Sequence, residues 1–149
     1  MSIRPITNDD FNIIMENMIK FHQESSFKGL DLSMVKCNEI LRRCVEDEDY
    51  FGAIAEDDGV FCGIFIGYYC PYYFGDDLLA RDLLLYVPLD KRNGRSAIRL
   101  VRSFENWARI KGCKNVQVGV STGIDDDRIV AFYQKIGYSY KGTLLQKEP

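Results

Sequence analysis

The chain contains a single histidine, His22, among its 149 residues. Zinc centres draw on sets of histidine and cysteine, and nucleophilic dyads on a histidine beside a thiol or hydroxyl, so both chemistries are short of residues here. The five cysteines, Cys37, Cys44, Cys62, Cys70 and Cys113, are odd in number and show no C-x-x-C spacing. That argues against a disulfide framework or a metal site, and for a reducing, cytoplasmic setting. Cys37, Cys44 and Cys62 lie on apolar stripes and read as small buried hydrophobes. No apolar run approaches the roughly 18 residues of a membrane span, and no signal-peptide pattern opens the sequence. Repeats, low-complexity tracts and linkers are missing too, which leaves one domain spanning residues 1–149. The P-loop pattern G-x-x-x-x-G-K-[ST] is absent, and no G-x-G-x-x-G follows the first strand, so neither nucleotide-binding motif is available.

With 46% hydrophobic and 28% charged residues the composition is that of an ordinary globular domain. A net charge of −3 makes non-specific nucleic-acid binding unfavourable. The acidic clusters at 46–49, 56–58, 76–77 and 125–127 read as solubilising turns, with a lesser reading in which one or two face a cationic amine.

Periodicity sets the element order. Ile3 to Ile6 forms a short strand, followed by a helix whose apolar face is Phe11, Ile14, Met15, Met18 and His22. His22 on that face reads as a packing residue before a catalyst. A second helix runs from about Leu32 to Val45, with Val35 near its start and Cys37, Ile40, Leu41, Cys44 and Val45 facing inward. Tyr50 to Ala55 and Val60 to Tyr69 alternate as a hairpin around Asp57-Asp58-Gly59. Gly63 and Gly67 within the second of these strands predict bulges or close packing. Leu78 to Val87 is nearly continuous in apolar residues and predicts a strand buried on both faces. A helix from Ala97 to Gly112, a strand at Val116–Val120, a helix from about Asp126 to Ile136 and strand material at Tyr138–Gln146 complete the chain. This order predicts a mixed sheet with helices on both faces.

Positive charge is concentrated against the overall balance. Lys91, Arg92, Arg95, Arg99, Arg102, Arg109 and Lys111 stand within 21 residues that hold one acidic residue, Glu105. The cluster begins in a glycine-containing turn that opens a helix. Backbone N–H groups at a helix start lack internal partners and carry the positive end of the dipole, so the turn suits a phosphate.

Two motifs in order, Lys91-Arg-Asn-Gly-Arg-Ser-Ala97 and Phe132-Tyr-Gln-Lys-Ile-Gly-Tyr138, resemble those of the GNAT family of acyl-CoA N-acetyltransferases, in its compact, bacteriophage or bacterial form. The first resembles the acyl-CoA pyrophosphate loop, [QR]-x-x-G-x-[GA], and the second the Tyr-x-Lys-x-Gly-Phe helix end. The sequence departs from the pattern at Lys91, Ser96, Pro88, Asp126 and Ile129. The resemblance implies an α/β (α+β) fold with a mixed, mostly antiparallel sheet of six to seven strands. It also implies acetyl-CoA as acyl donor and an amine acceptor, on a small molecule or on a protein lysine or N-terminus; the acidic balance disfavours nucleic acid and the lack of a long apolar run a membrane. Many relatives pair through sheet edges or last strands, so a homodimer is left open.

By the same resemblance, cofactor-binding residues are Leu85, Tyr86 and Val87 along the pantetheine arm, Arg92, Asn93, Gly94, Arg95, Ser96 and Ala97 at the pyrophosphate, and Ser121 with Val120 on the opposite wall. Tyr133 matches the family's proton donor to the leaving thiolate. For the base, Asp82 is the best carboxylate, because an acidic residue in an apolar strand is costly unless used or paired; an ion pair with Arg81 is the structural alternative. Glu24 or water could serve instead. Glu24, Tyr72 and Tyr73 are candidate acceptor-binding residues. No metal site is expected. Two other readings stand beside the acetyltransferase: a non-catalytic acyl-CoA-binding module, and a toxin-like acetyltransferase acting on aminoacyl-tRNA.

Overall fold

The computed structural model describes residues 1–92 and 94–149. Five strands form one sheet in the order β1-β2-β3-β4-β5, with β1 Ser2–Pro5, β2 Tyr50–Asp57, β3 Val60–Pro71, β4 Leu78–Tyr86 and β5 Asn115–Gln117. All neighbouring pairs are antiparallel except β4 and β5, which run parallel. The helices are α1 Phe11–Glu24, α2 Met34–Glu46, α3 Ser96–Ile110 and α4 Asp126–Lys135.

The sheet has an apolar cluster on each face. On one side Ile14 and Met15 of α1 and Cys37 and Leu41 of α2 pack on Ile54, Ile64, Ile66, Leu84 and Tyr86. On the other, Leu100, Val101, Phe104 and Ala108 of α3 and Tyr133 of α4 pack on Ala53, Ala55, Phe65 and Ala80. The three- and four-residue apolar steps of each helix supply these faces. Arg4 binds the first strand to its neighbours, pairing with Asp10 at 2.8 Å and Glu56 at 2.7 Å.

Turn chemistry follows the sequence closely. Asp58 and Gly59 have φ of 49° and 76°, the two left-handed residues that a tight hairpin turn of primed type requires. Gly67 sits under α3, where an added Cβ would lie 2.5 Å from the Phe104 ring.

Three expectations are corrected. The sheet has five strands among the described residues, not six to seven, because β5 stops at Gln117 and residues 138–146 form no strand. Residues 139–149 are exposed throughout, and their adjacent Leu144 and Leu145 cannot share one strand face, so little burial is available to offset ordering the chain. Second, the burial of β4 on both faces, with Leu84 and Tyr86 on one side and Ala80 and Leu85 on the other, is broken at Leu83, which is 46% exposed. Third, α2 begins at Met34, with Ser33 as its cap accepting from the Lys36 N–H, and Val45 at its end is exposed. No described helix is long and apolar enough to cross a membrane.

Candidate active site

The site originates in one extra residue. Ile66 of β3 pairs with Leu84 of β4, but the next residue, Gly67, pairs with Asp82, so Leu83 is bulged out of the ladder. A bulge reverses the side-chain parity of the strand beyond it. Ala80 accordingly faces α3, whereas Leu84 and Tyr86 face α1 and α2.

The second event is the parting of β4 from β5. Their parallel pairing covers Leu79, Ala80 and Arg81 opposite Asn115, Val116 and Gln117, then ends. Beyond it β4 keeps its pairing with β3 as far as Tyr86, so its other edge is open from residue 82 onward. At the fork, Asp82 Oδ1 accepts a hydrogen bond from the Gly119 N–H at 3.0 Å. The opening holds a cavity of about 640 Å³, walled by Asp82 to Val87 on one side and Gly119 to Thr122 on the other. Arg92, Gly94, Ala97 and Ile98 close one end, Arg128, Ile129, Phe132 and Tyr133 of α4 line it further, and Phe21 and Phe27 reach in from α1 and the segment after it.

The electrostatics follow from this burial. Burial pushes the Asp82 carboxyl up to about 6, opposed by the Gly119 N–H bond. Tyr133 is 4% exposed, and burial, with the nearby Asp82 carboxylate, raises its phenol well above the usual tyrosine value. Tyr133 therefore stays protonated at neutral pH while Asp82 is mostly ionised. The alternative of an Asp82–Arg81 ion pair is not formed: Arg81 lies over the Tyr73 ring, 5.2 Å from its centroid, with Nη1 3.4 Å from the Tyr73 hydroxyl.

At the other end, Glu24 Oε2 pairs with Arg92 Nη2 at 2.7 Å and Oε1 accepts from the Tyr86 hydroxyl at 2.9 Å. Burial pushes Glu24 up, but the bonds from Arg92 and Tyr86 outweigh it and leave the carboxyl below its ordinary value. Burial and the Glu24 carboxylate push the Tyr86 phenol to about 12. Part of the basic cluster is thus already engaged: Arg92 on Glu24, Arg102 on Glu105 at 2.9 Å, and Arg99 on the Met1 carbonyl at 2.8 Å. Lys91 and Arg95 make no ion pair among the described residues. The first turn of α3 carries no acidic residue, so its amides keep their positive potential toward the cavity.

Solved structures share this fold. A transcriptional regulator from Bacillus halodurans C-125 superposes with a TM-score of 0.79 at 16% identity, covering 99% of this chain and 98% of that one. A ribosomal-protein-alanine N-acetyltransferase from Brucella melitensis biovar Abortus 2308 gives 0.74 at 15% identity, with 99% of each chain covered. An aminoglycoside N-acetyltransferase in complex with CoA gives 0.73 at 17% identity, over 99% of this chain and 98% of that one. The fold is that of the GNAT acetyltransferases. No protein-family model matches the sequence, and no curated protein does.

Within this GNAT fold, Asp82, Leu85, Tyr86, Val87, Arg92, Gly94, Ala97, Ser121 and Tyr133 all line the cavity. Arg95 and Ser96 do not; Arg95 stands at the N-cap position of α3 without a side-chain capping bond, and the buried Ser96 hydroxyl lies 3.3 Å from the Met1 sulfur. Asn93 lies outside the described residues. Glu24 stands behind the lining, bonded to two residues of it. Tyr72 and Tyr73 belong to the loop between β3 and β4, at the end of β4 away from the fork, and the structure does not bring them to the cavity. Sequence reasoning missed Gly119, Phe21 and Phe27. Phe21 and Phe27 carried no motif, and a backbone amide such as that of Gly119 leaves no signal in residue type.

Proposed function

We propose that the chain is an acetyl-CoA-dependent N-acetyltransferase that moves an acetyl group to a primary amine by direct attack. The observation that carries this reading is the fork at Asp82: β4 leaves β5 at a bulge, and the cavity so opened runs to the N-terminus of α3. Its size suits an extended acyl carrier. Amides of the 94–98 segment, with Arg92, fit the diphosphate, whose negative charge meets the helix dipole. The free edge of β4 from residue 82 to 86 can hydrogen-bond the pantetheine arm as an added strand would. A Leu85 or Tyr86 amide there supplies an oxyanion donor to the thioester carbonyl.

In this mechanism Asp82 takes a proton from the acceptor ammonium, directly or through water, and the neutral amine attacks the thioester carbon. A carboxyl titrating near 6 is ionised at pH 7 yet more basic than an ordinary aspartate. The tetrahedral adduct collapses with cleavage of the carbon–sulfur bond. Tyr133, which is protonated at neutral pH, gives its proton to the departing thiolate and regains one through solvent from the nitrogen, which sheds its surplus proton as the amide forms. Glu24 is a poor alternative base, because both its oxygens are bonded and its carboxyl is held in the ionised form at low basicity.

The test is incubation with acetyl-CoA and a panel of amines, including lysine peptides, polyamines and aminoglycosides, with free thiol as the readout. Thiol release that depends on one acceptor class supports the reading. Binding of CoA without transfer to any amine would favour a non-catalytic acyl-CoA module, and absence of binding at millimolar CoA would overturn both.

A further inference from the structure

The end of α1 grips both walls of the cleft. Toward β4, Glu24 holds Arg92 and the Tyr86 hydroxyl at 2.7 and 2.9 Å. Two residues later, Ser26 donates its N–H to the Thr122 carbonyl at 2.6 Å and its Oγ to the Ser121 carbonyl at 3.0 Å. A three-residue segment therefore spans the gap that the fork opens. Arg92 is fixed from a second direction as well: its Nε donates to the Val87 carbonyl at 2.9 Å, and its guanidinium lies 5.7 Å over the Tyr86 ring. Nη1 has no hydrogen-bond partner among the described residues. An arginine already held in place loses less rotamer entropy on grasping an anion than a free one does.

We propose that Glu24 is a positioning residue for the donor's diphosphate: it aims Arg92 at the phosphate turn and, with Ser26, sets the width of the cleft. This assignment rests on the acetyltransferase reading of the same cleft. It replaces a direct contact between Glu24 and the acceptor amine, for which a carboxylate with both oxygens occupied is poorly suited.

Calorimetry with CoA and with pantetheine, which lacks the diphosphate, tests it on the full chain. Glu24→Gln should lower the ratio of CoA to pantetheine affinity about tenfold, with thermal melting confirming that the variant is folded. Glu24→Asp, which keeps the charge on a shorter stem, should recover part of that ratio. In an Arg92→Ala background Glu24→Gln should have no further effect, since the two act through one contact. An unchanged ratio, an equal loss for both probes, or a full loss persisting without Arg92 would each overturn the positioning role while leaving the acetyltransferase reading standing. Failure of the wild type itself to bind CoA would overturn the reading of the cleft and the positioning role with it.

Discussion

The Asp82 carboxylate accepts the Gly119 N–H at 3.0 Å across the point where β4 and β5 cease to pair. One side chain thus takes the place of the next rung in the ladder and marks the floor of the cavity. Its burial has two consequences of opposite sign, one for catalysis and one for stability.

The catalytic consequence is a pH limb. With Asp82 titrating near 6, kcat/KM for the acceptor should fall below that pH with an apparent pKa close to 6. Asp82→Asn keeps an oxygen for the Gly119 N–H but removes the proposed base. The variant should lose the limb together with about a hundredfold in rate, and a persisting limb at the same pH would assign it elsewhere.

The stability consequence runs the other way. Because its folded pKa lies above the unfolded value near 3.9, Asp82 favours the fold fully below pH 4, and that contribution is lost as pH rises through 6. The ionised carboxylate costs roughly 2–3 kcal/mol at pH 8. Asp82→Asn should therefore raise the melting temperature at pH 8 and change it little at pH 4. Equal shifts at both pH values would contradict the buried, destabilised charge.

Tyr133→Phe removes one oxygen from a side chain that is otherwise packed against Phe132 and Tyr138. Donation to the thiolate is the only role that oxygen has in the mechanism, so kcat should drop by about a hundredfold or more. Binding of CoA, measured by calorimetry, should change by less than about threefold. A variant with full turnover would remove Tyr133 from the chemistry.

Arg4, Asp10 and Glu56 supply an ion-pair network remote from the cavity. The hydrogen bond from Arg4 holds the Asp10 carboxyl below its ordinary value, helped by Thr7 and opposed by burial. Its stabilisation is present above the unfolded pKa near 4 and disappears as pH falls through the lower folded value. Asp10→Asn should cost about 2 kcal/mol at pH 7. The difference from wild type should shrink at pH 2 to 3 in urea unfolding, and a pH-independent difference would point to packing alone.

Gly67 gives a test of packing beneath the bulge. A Cβ there would sit 2.5 Å from the Phe104 ring and 2.8 Å from the Arg81 carbonyl. Gly67→Ala should destabilise by about 1–3 kcal/mol, because neither the ring nor the strand can withdraw. A neutral effect in chemical denaturation would mean that α3 shifts more freely than its packing suggests.

Much of this arrangement was legible in residue order. Three- and four-residue apolar steps gave α1, α2 and α3, and Asp57-Asp58-Gly59 gave the hairpin. The glycine-bearing basic turn before α3 and Tyr133 before Gly137 were found as motifs, and both reach the cavity. Less legible were the interactions that lack a sequence period. Arg92, placed by its motif at the pyrophosphate turn, is tied to Glu24, 68 positions away, which no local pattern signals. The strand expected at Val116–Val120 forms only as far as Gln117 and that expected at Tyr138–Gln146 does not form, since a strand exists only where a partner edge is available.

The amino-acid sequence by itself determined the helices, the hairpin and the placing of basic residues at a helix start, because these depend on neighbours within a few positions along the chain. Tertiary structure alone decided the bulge at Leu83, the parting of β4 from β5, and the bonds that Asp82 and Glu24 make. Each is a property of two segments brought together, fixed by which backbone edges find partners and which side chains are left to fill the gap.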